Sequence, residues 1–524
     1  MAVFAWGGAM TTGCNKDDSM TQPGNTDNIV TLTTTVNLDG VTPETRALTA
    51  AGVKTFAAGE QIAIVYMNTS DQTVKAVSEA LTAGDIASGN KSATFTVTLT
   101  NPKASGSVKY IYPAAMAKAD GSINYDALAT QDGTLASLAA NLDFALYEGS
   151  LTAEAKLPAG AVSLTNQLAI CAFTLKNSNG SSEITSSITR MSIGDGTNGY
   201  TVIREAAAGP IYVAILPTAS AHITINTFDG SSYHIKSLAG KTYAANNGYN
   251  ISLRMTAVPQ GALPGKFTVN ADGHQVYFSK GNLQYTKDSG SWSFVEHQYS
   301  TVEHSFQKIG IDYAEASTVG LFGYGTSGYN RGFTAYMPYS TSETNANYYN
   351  QDLTGTADWG YNAISNGGNA TGLWHTPSSA HWEYIANSRS GYRYAKAHVL
   401  SKSGVILFPD QYTHPIGLSA PIGVNIYNDD KGWSGNAYNA SDWERMELAG
   451  AVFLPAAGLR YWSDFWGTYE VFVEAEAYGH YWSSTVYDAS SAYYFYFCSD
   501  YLTPINNNNS RWTGQSVRLV RNVE

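Results

Sequence analysis

Short runs of alternating apolar and polar residues, separated by turn residues, constrain the fold of this chain more than any other feature. The segment 92–100 reads SATFTVTLT, in which Ala, Phe, Val and Leu alternate with Ser and Thr. Such alternation is typical of a β-strand with one buried face. Long amphipathic helical runs are scarce, so the sequence predicts a mostly β protein. A chain of 524 residues is too long for one core, and we expect two to four domains.

The composition changes sharply near residue 260. Ten of the 11 Trp and 26 of the 36 Tyr lie after it, whereas the first part is rich in Thr, Ala and Ser. Strands are expected at 30–38, 61–67, 92–100 and 107–112, and a second set begins near residue 162. These patterns predict a leader and tether at 1–28, β domains at 29–158 and 159–257, a Pro/Gly-rich linker at 258–264, and a C-terminal domain at 265–524.

Charge and cysteine content exclude several classes of protein. The formal net charge is -12 and only 14% of residues are charged, which argues against nucleic acid binding because that needs a basic face. No apolar run is long enough to span a bilayer. Three cysteines do not make a disulfide framework. Cys171 stands in an apolar run, which predicts a buried structural thiol.

The N-terminus carries a possible lipid attachment site. A short apolar stretch leads to Gly13 and Cys14, and this pattern resembles a bacterial lipobox. The resemblance implies that Cys14 is lipidated and that a lipid anchor is the protein's sole link to a membrane. Lys16, Asp17 and Asp18 resemble an export signal that carries lipoproteins to the outer face of some Gram-negative anaerobes. The alternative is a disordered leader with a chance cysteine.

The first half resembles the fimbrillin family, the subunits of type V pili. The resemblance depends on 45–47 (TRA), 56–64 (FAAGEQIAI), 212–217 (YVAILP) and 248–253 (GYNISL). It implies two Ig-like β-sandwich domains in a surface lipoprotein or pilus subunit. It also implies that a protease cuts after Arg46, and that a strand from another pilus subunit replaces the removed strand by β-augmentation. The alternative is an ordinary surface arginine at this position.

The second half resembles the C-type lectin-like fold, an α+β domain. Its segments end in YWSS (481–484) and GQSVR (514–518). The branch is the one shared by formylglycine-generating-enzyme relatives and by the variable proteins of diversity-generating retroelements. In the latter, mutagenesis of Asn codons yields Tyr, Ser, Asp, Cys and Ile. The interior of 485–513 is enriched in these residues, and the run 506–509 resembles unmutated Asn codons.

The segment between these two framework motifs has the composition of an adaptable binding surface. Tyr gives contact area at low entropy cost, and Ser and Asn give flexible hydrogen bonds. Alternation along a strand predicts that Tyr494, Tyr496 and Cys498 share one outward face. The predicted ligand-facing residues are Tyr487, Asp488, Ser490, Ser491, Tyr494, Tyr496, Cys498, Asp500, Tyr501 and Ile505. The alternative is an ordinary strand and loop without a ligand.

Catalytic motifs are missing from the sequence. It contains no HExxH, CxxC, GxSxG or P-loop pattern. The formylglycine-generating relatives use a pair of cysteines late in the domain, whereas this half contains only Cys498. The calcium-binding motifs of sugar-binding C-type lectins are also absent from the sequence. We therefore expect a protein that is not an enzyme and that uses no metal and no cofactor.

These observations favour a cell-surface or pilus-tip adhesin of a Gram-negative bacterium, placed on the outer membrane by its lipid anchor. Its expected partner is a protein or glycan on another cell or on a host surface, with other pilus subunits as further partners through strand exchange. Two alternatives stay open. One is a glycan-binding or glycan-processing surface protein in which Trp462, Trp466 and Trp482 stack sugars. The other is a structural pilus subunit.

Overall fold

The computed structural model of the chain describes residues 28–38, 55–142, 144–302, 318–328, 350–460, 475–511 and 513–524. Within these ranges strands dominate and helices are short, which confirms the prediction of a mostly β protein. Three successive units, described in turn below, each contain their own sheets.

The first unit is a curled sheet of seven strands. Its elements are β1 (Ile29–Leu38), β2 (Ala63–Met67), β3 (Thr73–Val77), β4 (Ser92–Thr100), β5 (Ser107–Tyr112), α1 (Asp126–Ala129), β6 (Thr130–Gln131), α2 (Leu135–Asn141), β7 (Ala145–Ser150) and β8 (Ala161–Asn166). The strand order is β3-β2-β5-β7-β8-β1-β4. Strand β6 and the helices α1 and α2 pack with the next unit, whose core contains Leu128 and Leu138. Phe95 of β4 lies in a buried cluster against which Val74 and Ala76 of β3 pack, so the two ends of the sheet face each other.

Strand β1 occupies an interior position in this sheet. It is antiparallel to β4, with Ile29 opposite Thr100, and parallel to β8, with Val36 opposite Val162. Val36 is fully buried, whereas Ile29 at the strand's start is exposed. Strand β8 follows the predicted boundary at residue 158 yet belongs to the first sheet, so the strand near residue 162 does not begin the second set. The alternation of β8 identified a strand but could not identify its sheet.

The second unit packs two sheets on each other. Its elements are β9 (Ala169–Lys176), β10 (Arg190–Gly194), β11 (Gly199–Ile203), β12 (Ile211–Ile215), β13 (Thr218–Phe228), β14 (Tyr233–Tyr243), β15 (Gly248–Arg254) and β16 (Thr256–Ala257). One sheet has the order β16-β14-β13-β10-β11-β6 and the other β12-β9-β15. Cys171 lies in the core between them, as predicted for a structural thiol, and burial raises its pKa to about 12.

The third unit combines several small sheets with two helices. Its elements are β17 (Ala262–Thr268), β18 (Gln275–Ser279), β19 (Leu283–Thr286), β20 (Ser291–Phe294), β21 (Thr318–Val319), α3 (Ser379–Glu383), β22 (Tyr394–Val399), β23 (Lys402–Leu407), β24 (Ala437–Tyr438), α4 (Ala440–Leu448), β25 (Val452–Pro455), β26 (Tyr478–Val486), β27 (Ala492–Cys498), β28 (Leu502–Asn506) and β29 (Val520–Asn522). The sheets are β17-β18-β29, β20-β19-β21, β24-β22-β23-β25 and β26-β27-β28.

The first helix of this unit begins at a serine cap. Ser378 caps α3 by accepting a hydrogen bond from the His381 backbone N at 3.1 Å. Trp382 and Ile385 on the helix and the turn after it are fully buried. The predicted linker at 258–264 is already structured, because β17 begins at Ala262 and pairs with β18.

Helix α4 joins the third unit to the second. The buried guanidinium of Arg445 reaches the second unit through hydrogen bonds to the Ala129 carbonyl at 3.0 Å and to Thr201 Oγ1 at 3.4 Å. It also donates to the Ile416 carbonyl within its own unit. Asn226 Nδ2 donates to the Leu448 carbonyl at 2.9 Å. An ion pair between Arg190 and Glu444, 2.5 Å apart, lies at the rim of this contact. The two units are therefore held by buried polar contacts.

Candidate functional site

The framework motifs on either side of the candidate segment are buried and hydrogen bonded. The Tyr481 hydroxyl donates to the Pro455 carbonyl at 2.7 Å, and Trp482 Nε1 donates to the Phe322 carbonyl at 2.7 Å. Arg518 Nη2 donates to Gln298 Oε1 at 2.7 Å, and burial lowers the Arg518 pKa to about 10. Buried polar groups with such partners fix a unique packing. Trp482 is fully buried, so it offers no surface on which a sugar could stack.

Strand β27 is packed on both faces, which corrects the expectation of an outward tyrosine face. Tyr494, Tyr496 and Cys498 are 2%, 8% and 6% exposed and lie in one apolar cluster. Phe495 and Phe497 are fully buried in a different cluster on the opposite face. Alternation correctly grouped the residues by face, but it cannot tell a half-exposed strand from one that is covered on both sides.

A glycine makes room for this packing on the opposite face. Gly479 of β26 stands opposite Phe497 of β27 in the ladder. A Cβ atom at Gly479 would lie 2.0 Å from the Phe497 ring, so a larger residue is excluded at this position. The ring of Tyr481 stacks near Phe497, with centroids 5.9 Å apart. The close approach of the two strands therefore depends on Gly479.

Aromatic rings form a continuous row on the tyrosine face. His480 lies 5.6 Å from Tyr494 and 4.9 Å from Tyr496 between ring centroids. The ring of Tyr496 in turn lies 5.5 Å from Tyr501, which is 6.0 Å from Tyr427. Burial lowers the pKa of His480 to about 3 and raises those of Tyr494 and Tyr496 above their usual range. The row leads from the core to the exposed ring of Tyr427.

The asparagine run covers part of this row. The Tyr494 hydroxyl donates a hydrogen bond to Asn508 Oδ1, and Asn509 Nδ2 lies 3.3 Å from His480 Nδ1. Asn508 itself is exposed, while Asn509 is half-buried. The amide groups of the run thus satisfy polar atoms of buried aromatic residues, and side-chain changes there would alter the packing of the row.

Four of the predicted residues lie in the turn between β26 and β27. Tyr487 is 47% exposed, and its ring packs edge-on against Tyr493 at 5.2 Å. Asp488 is exposed and accepts hydrogen bonds from the backbone N atoms of Ser490 and Ser491 at 2.7 and 2.8 Å. These bonds lower the Asp488 pKa. We call residues 487–491 the hairpin end of the sheet.

Two further predicted residues lie at the opposite end of β27. Asp500 is exposed and Tyr501 is half-buried. Tyr501 pairs with Asn428 in an isolated bridge, which brings the exposed Tyr427 beside it. Lys396 is buried and donates a hydrogen bond to the Ser499 carbonyl at 2.9 Å, which anchors the turn that follows β27 to the interior of the domain. We call Ile426, Tyr427, Asp500 and Tyr501 the tyrosine end.

The predicted set therefore splits between separate places. The two ends lie on either side of a seven-residue strand, which spans about 20 Å. Ile505 is 41% exposed on the edge strand β28. Tyr494, Tyr496 and Cys498 are buried in the interior. The other residues singled out in the sequence, Cys14, Arg46, Trp462 and Trp466, lie outside the described residues. The set does not make one continuous surface.

Sequence reasoning missed the segment that completes the tyrosine end. Ile422, Ile426 and Tyr427 are large apolar residues that are 47%, 48% and 50% exposed. Exposed apolar side chains that cluster with a tyrosine are typical of interaction sites. The signal in the sequence was weak, because PIGVNIYN at 421–428 also reads as a short buried strand.

The last point about the site is the chemical character of its side chains. In the parts of the chain that the structure describes, no group of three His, Cys, Asp or Glu side chains could hold a metal ion. His375 and His381 lie with ring centroids 6.2 Å apart, and burial lowers both pKa values. Tyrosine, aspartate and isoleucine at the two ends supply apolar contact area and hydrogen-bonding groups.

Comparison with known proteins gives no family. No family model and no curated protein matches the chain. A fimbrial assembly protein of Parabacteroides distasonis is 10% identical with a TM-score of 0.24, over 51% of this chain and 98% of that one. A candidate cell adhesion protein of Bacteroides uniformis is 14% identical with a TM-score of 0.26, over 44% and 97%. These scores are too low to assign a shared fold. Within the described residues, none of the helices has the length and apolar character needed to cross a membrane.

Proposed function

We propose that this protein is a cell-surface or pilus-tip adhesin that binds its ligand through the turns of the β26-β27-β28 sheet. One observation carries the proposal. The framework motifs are buried and hydrogen bonded, whereas the segment between them displays Tyr487, Asp488, Asp500 and Ile505 to solvent. A rigid sheet that supports exposed turns is how binding residues are commonly presented.

The tyrosine end is the main binding surface in this proposal. Its exposed Ile426 and Tyr427 lie in the segment that pairs with Tyr501 through Asn428, and the Tyr427 ring is 6.0 Å from that of Tyr501. The buried Lys396 holds the neighbouring turn by its hydrogen bond to the Ser499 carbonyl. Aromatic residues on a preorganised turn give large contact area at low entropy cost. The ligand is a protein or glycan on a partner cell or host surface, and the C-type lectin-like resemblance together with the composition of 485–513 makes retroelement-driven diversification part of the proposal.

A panel of polysaccharides, mucins and matrix proteins tests this function. The full chain is expected to bind at least one panel member without changing it, as measured by surface retention and by product analysis. Release of shorter sugars would favour the competing proposal of a glycan-processing enzyme. Absence of binding across the panel would count against both.

A structural pilus subunit is a second candidate, and the place of β1 favours it. This strand lies between β8 and β4, and Arg46 follows it by eight residues, counted from Leu38. Cleavage after Arg46 followed by loss of β1 would open a slot in the sheet for a strand from another subunit. Prolonged exposure to an Arg-specific protease tests the cut, and a chain that stays intact would count against this role.

A further inference from the structure

A cleft of about 300 Å³ lies between the second and third units. Its floor belongs to the antiparallel pair β13–β14. His222, Thr224 and Asn226 recur at every second position of β13 and share one face. Ser237 stands opposite Thr224 and Ile235 opposite Asn226 in the register. The floor is therefore polar with one apolar residue.

The opposite wall comes from the third unit. It consists of 264–266 of β17, Gln275 of β18 and the turn 409–411. Asp410 in this wall is already engaged, since its Oδ2 accepts from the Thr268 backbone N at 2.8 Å and from Gln275 Nε2 at 2.9 Å. Its Oδ1 forms an ion pair with the buried Arg389 at 3.2 Å. The negative charge of Asp410 is thus neutralised within the wall.

Lys266 is left as the uncompensated charge of the cleft. No carboxylate in the described parts of the chain forms an ion pair with its ammonium group. Its side chain is half-buried, and burial lowers its pKa. A half-buried cation without an anion costs free energy, and an anionic ligand would offset that cost. His222, on the floor, has a buried Nε2 without a hydrogen-bond partner among the described residues.

We propose that this cleft binds a sugar that carries one carboxylate. Lys266 would pair with the carboxylate, and His222, Thr224, Ser237 and the amide groups of the wall would meet the hydroxyls. The apolar Ile235 and the prolines at 264 and 409 would pack against the C–H face of the ring. The volume lies at the lower end of the range for small-molecule sites, and domain interfaces commonly hold such sites.

This site is separate from the adhesive surface proposed above. None of the residues that line the cleft belongs to the hairpin end or to the tyrosine end. Failure of the cleft to bind a sugar would therefore leave the adhesin proposal unaffected, and the reverse also holds.

Calorimetric titration of the full chain with three probes tests the proposal. Glucuronate has both the ring and the carboxylate, glucose has the ring alone, and acetate has the charge alone. We expect glucuronate to bind at least about tenfold more tightly than either of the others, because only it meets both parts of the site. Absence of glucuronate binding, or equal binding of glucose or of acetate, would overturn the proposal.

Three variants assign the binding to the cleft. Lys266→Met keeps an unbranched side chain that is one atom shorter and removes its charge, and it should weaken glucuronate binding about tenfold or more. Lys236→Met is the matched control, because this residue lies on β14 between Ile235 and Ser237 and points to the other face. Ser237→Trp fills the cleft without changing any charge and should abolish binding. Wild-type affinity in Lys266→Met or in Ser237→Trp, with the melting temperature as the check of folding, would contradict the assignment.

Discussion

The imidazole of His480 stacks on the ring of Tyr494, with centroids 5.6 Å apart and planes inclined by 26°. Both side chains are buried, and Asn508 and Asn509 reach them from the run that follows β28. The pair places the tyrosine face of β27 inside the domain. The strand therefore contributes to stability, and the adhesin proposal places binding at the turns beyond its two ends.

Replacing either buried tyrosine of this face should destabilise the C-terminal domain. Tyr494→Ala or Tyr496→Ala leaves a cavity in an apolar cluster, and we expect a loss of roughly 3–5 kcal/mol in the free energy of unfolding. Tryptophan fluorescence during urea unfolding measures it, because ten of the 11 Trp lie after residue 260.

The matched control for those variants is Tyr487→Ala. Its side chain is about half exposed at the hairpin end, so the expected loss is within about 0.5 kcal/mol. Equal losses in Tyr494→Ala and Tyr487→Ala would show that the two residues occupy similar environments, contrary to the structure.

Acid should destabilise the protein through His480. Burial lowers its folded pKa to about 3, whereas the unfolded value is about 6.5. Between about pH 6.5 and pH 3, His480 is therefore protonated in the unfolded chain but stays neutral in the folded protein. The free energy of unfolding falls by about 1.4 kcal/mol per pH unit until the pH approaches 3. Above pH 6.5 this contribution is constant.

His480→Phe isolates the effect, because phenylalanine keeps an aromatic ring and cannot take up a proton. Between pH 7 and pH 5 the wild-type protein should lose about 2 kcal/mol more than the variant. Carboxylates titrate in both proteins, so their effect cancels in the difference. Parallel stability curves over this interval would mean that His480 is not buried in its neutral form.

Arg445 should hold the second and third units together. Arg445→Ala removes the hydrogen bonds that cross to the Ala129 carbonyl and to Thr201 Oγ1, together with the one to the Ile416 carbonyl in its own unit. We expect a loss of roughly 3 kcal/mol in the free energy of unfolding, since hydrogen bonds from a charged donor are strong. Arg190→Ala is the control, because its ion pair with Glu444 is largely exposed and contributes about 0–1 kcal/mol. A larger loss in the control would reverse this ranking of the interface contacts.

Strand β1 should be replaceable from outside if the sheet accepts another subunit. A chain that begins at residue 47 is expected to bind a peptide of residues 29–38 and to gain thermal stability. The same peptide with Val36→Asp should bind at least tenfold more weakly, because Val36 is fully buried in the sheet and a buried charge is costly. Equal stabilisation by both peptides would argue against insertion at the β1 position.

Local sequence patterns predicted individual elements better than their partners. The expected strand at 92–100 is β4, and the segment GYNISL lies in β15. These features depend on neighbours along the chain. The sheet to which β8 belongs depends on long-range pairing with β1 and β7, which alternation does not encode.

The candidate site was predicted in part for a similar physical reason. Composition identified the turns with Tyr487 and Asp500, which are exposed. It also assigned Tyr494 and Tyr496 to the surface, although a second layer of side chains covers them. The sequence did not indicate Tyr427, because it comes beside Tyr501 only through the bridge between Asn428 and Tyr501, which are more than 70 residues apart.

The most direct test of the account is the affinity of tyrosine-end variants for a panel member that the full chain binds. Tyr427→Ala and Asp500→Ala should each weaken binding at least tenfold with an unchanged melting temperature, because both side chains are exposed. Val77→Ala, at an exposed apolar residue on β3 of the first unit, should bind like the wild-type protein. Wild-type affinity in both tyrosine-end variants would contradict the claim that this end of the sheet is the adhesive surface.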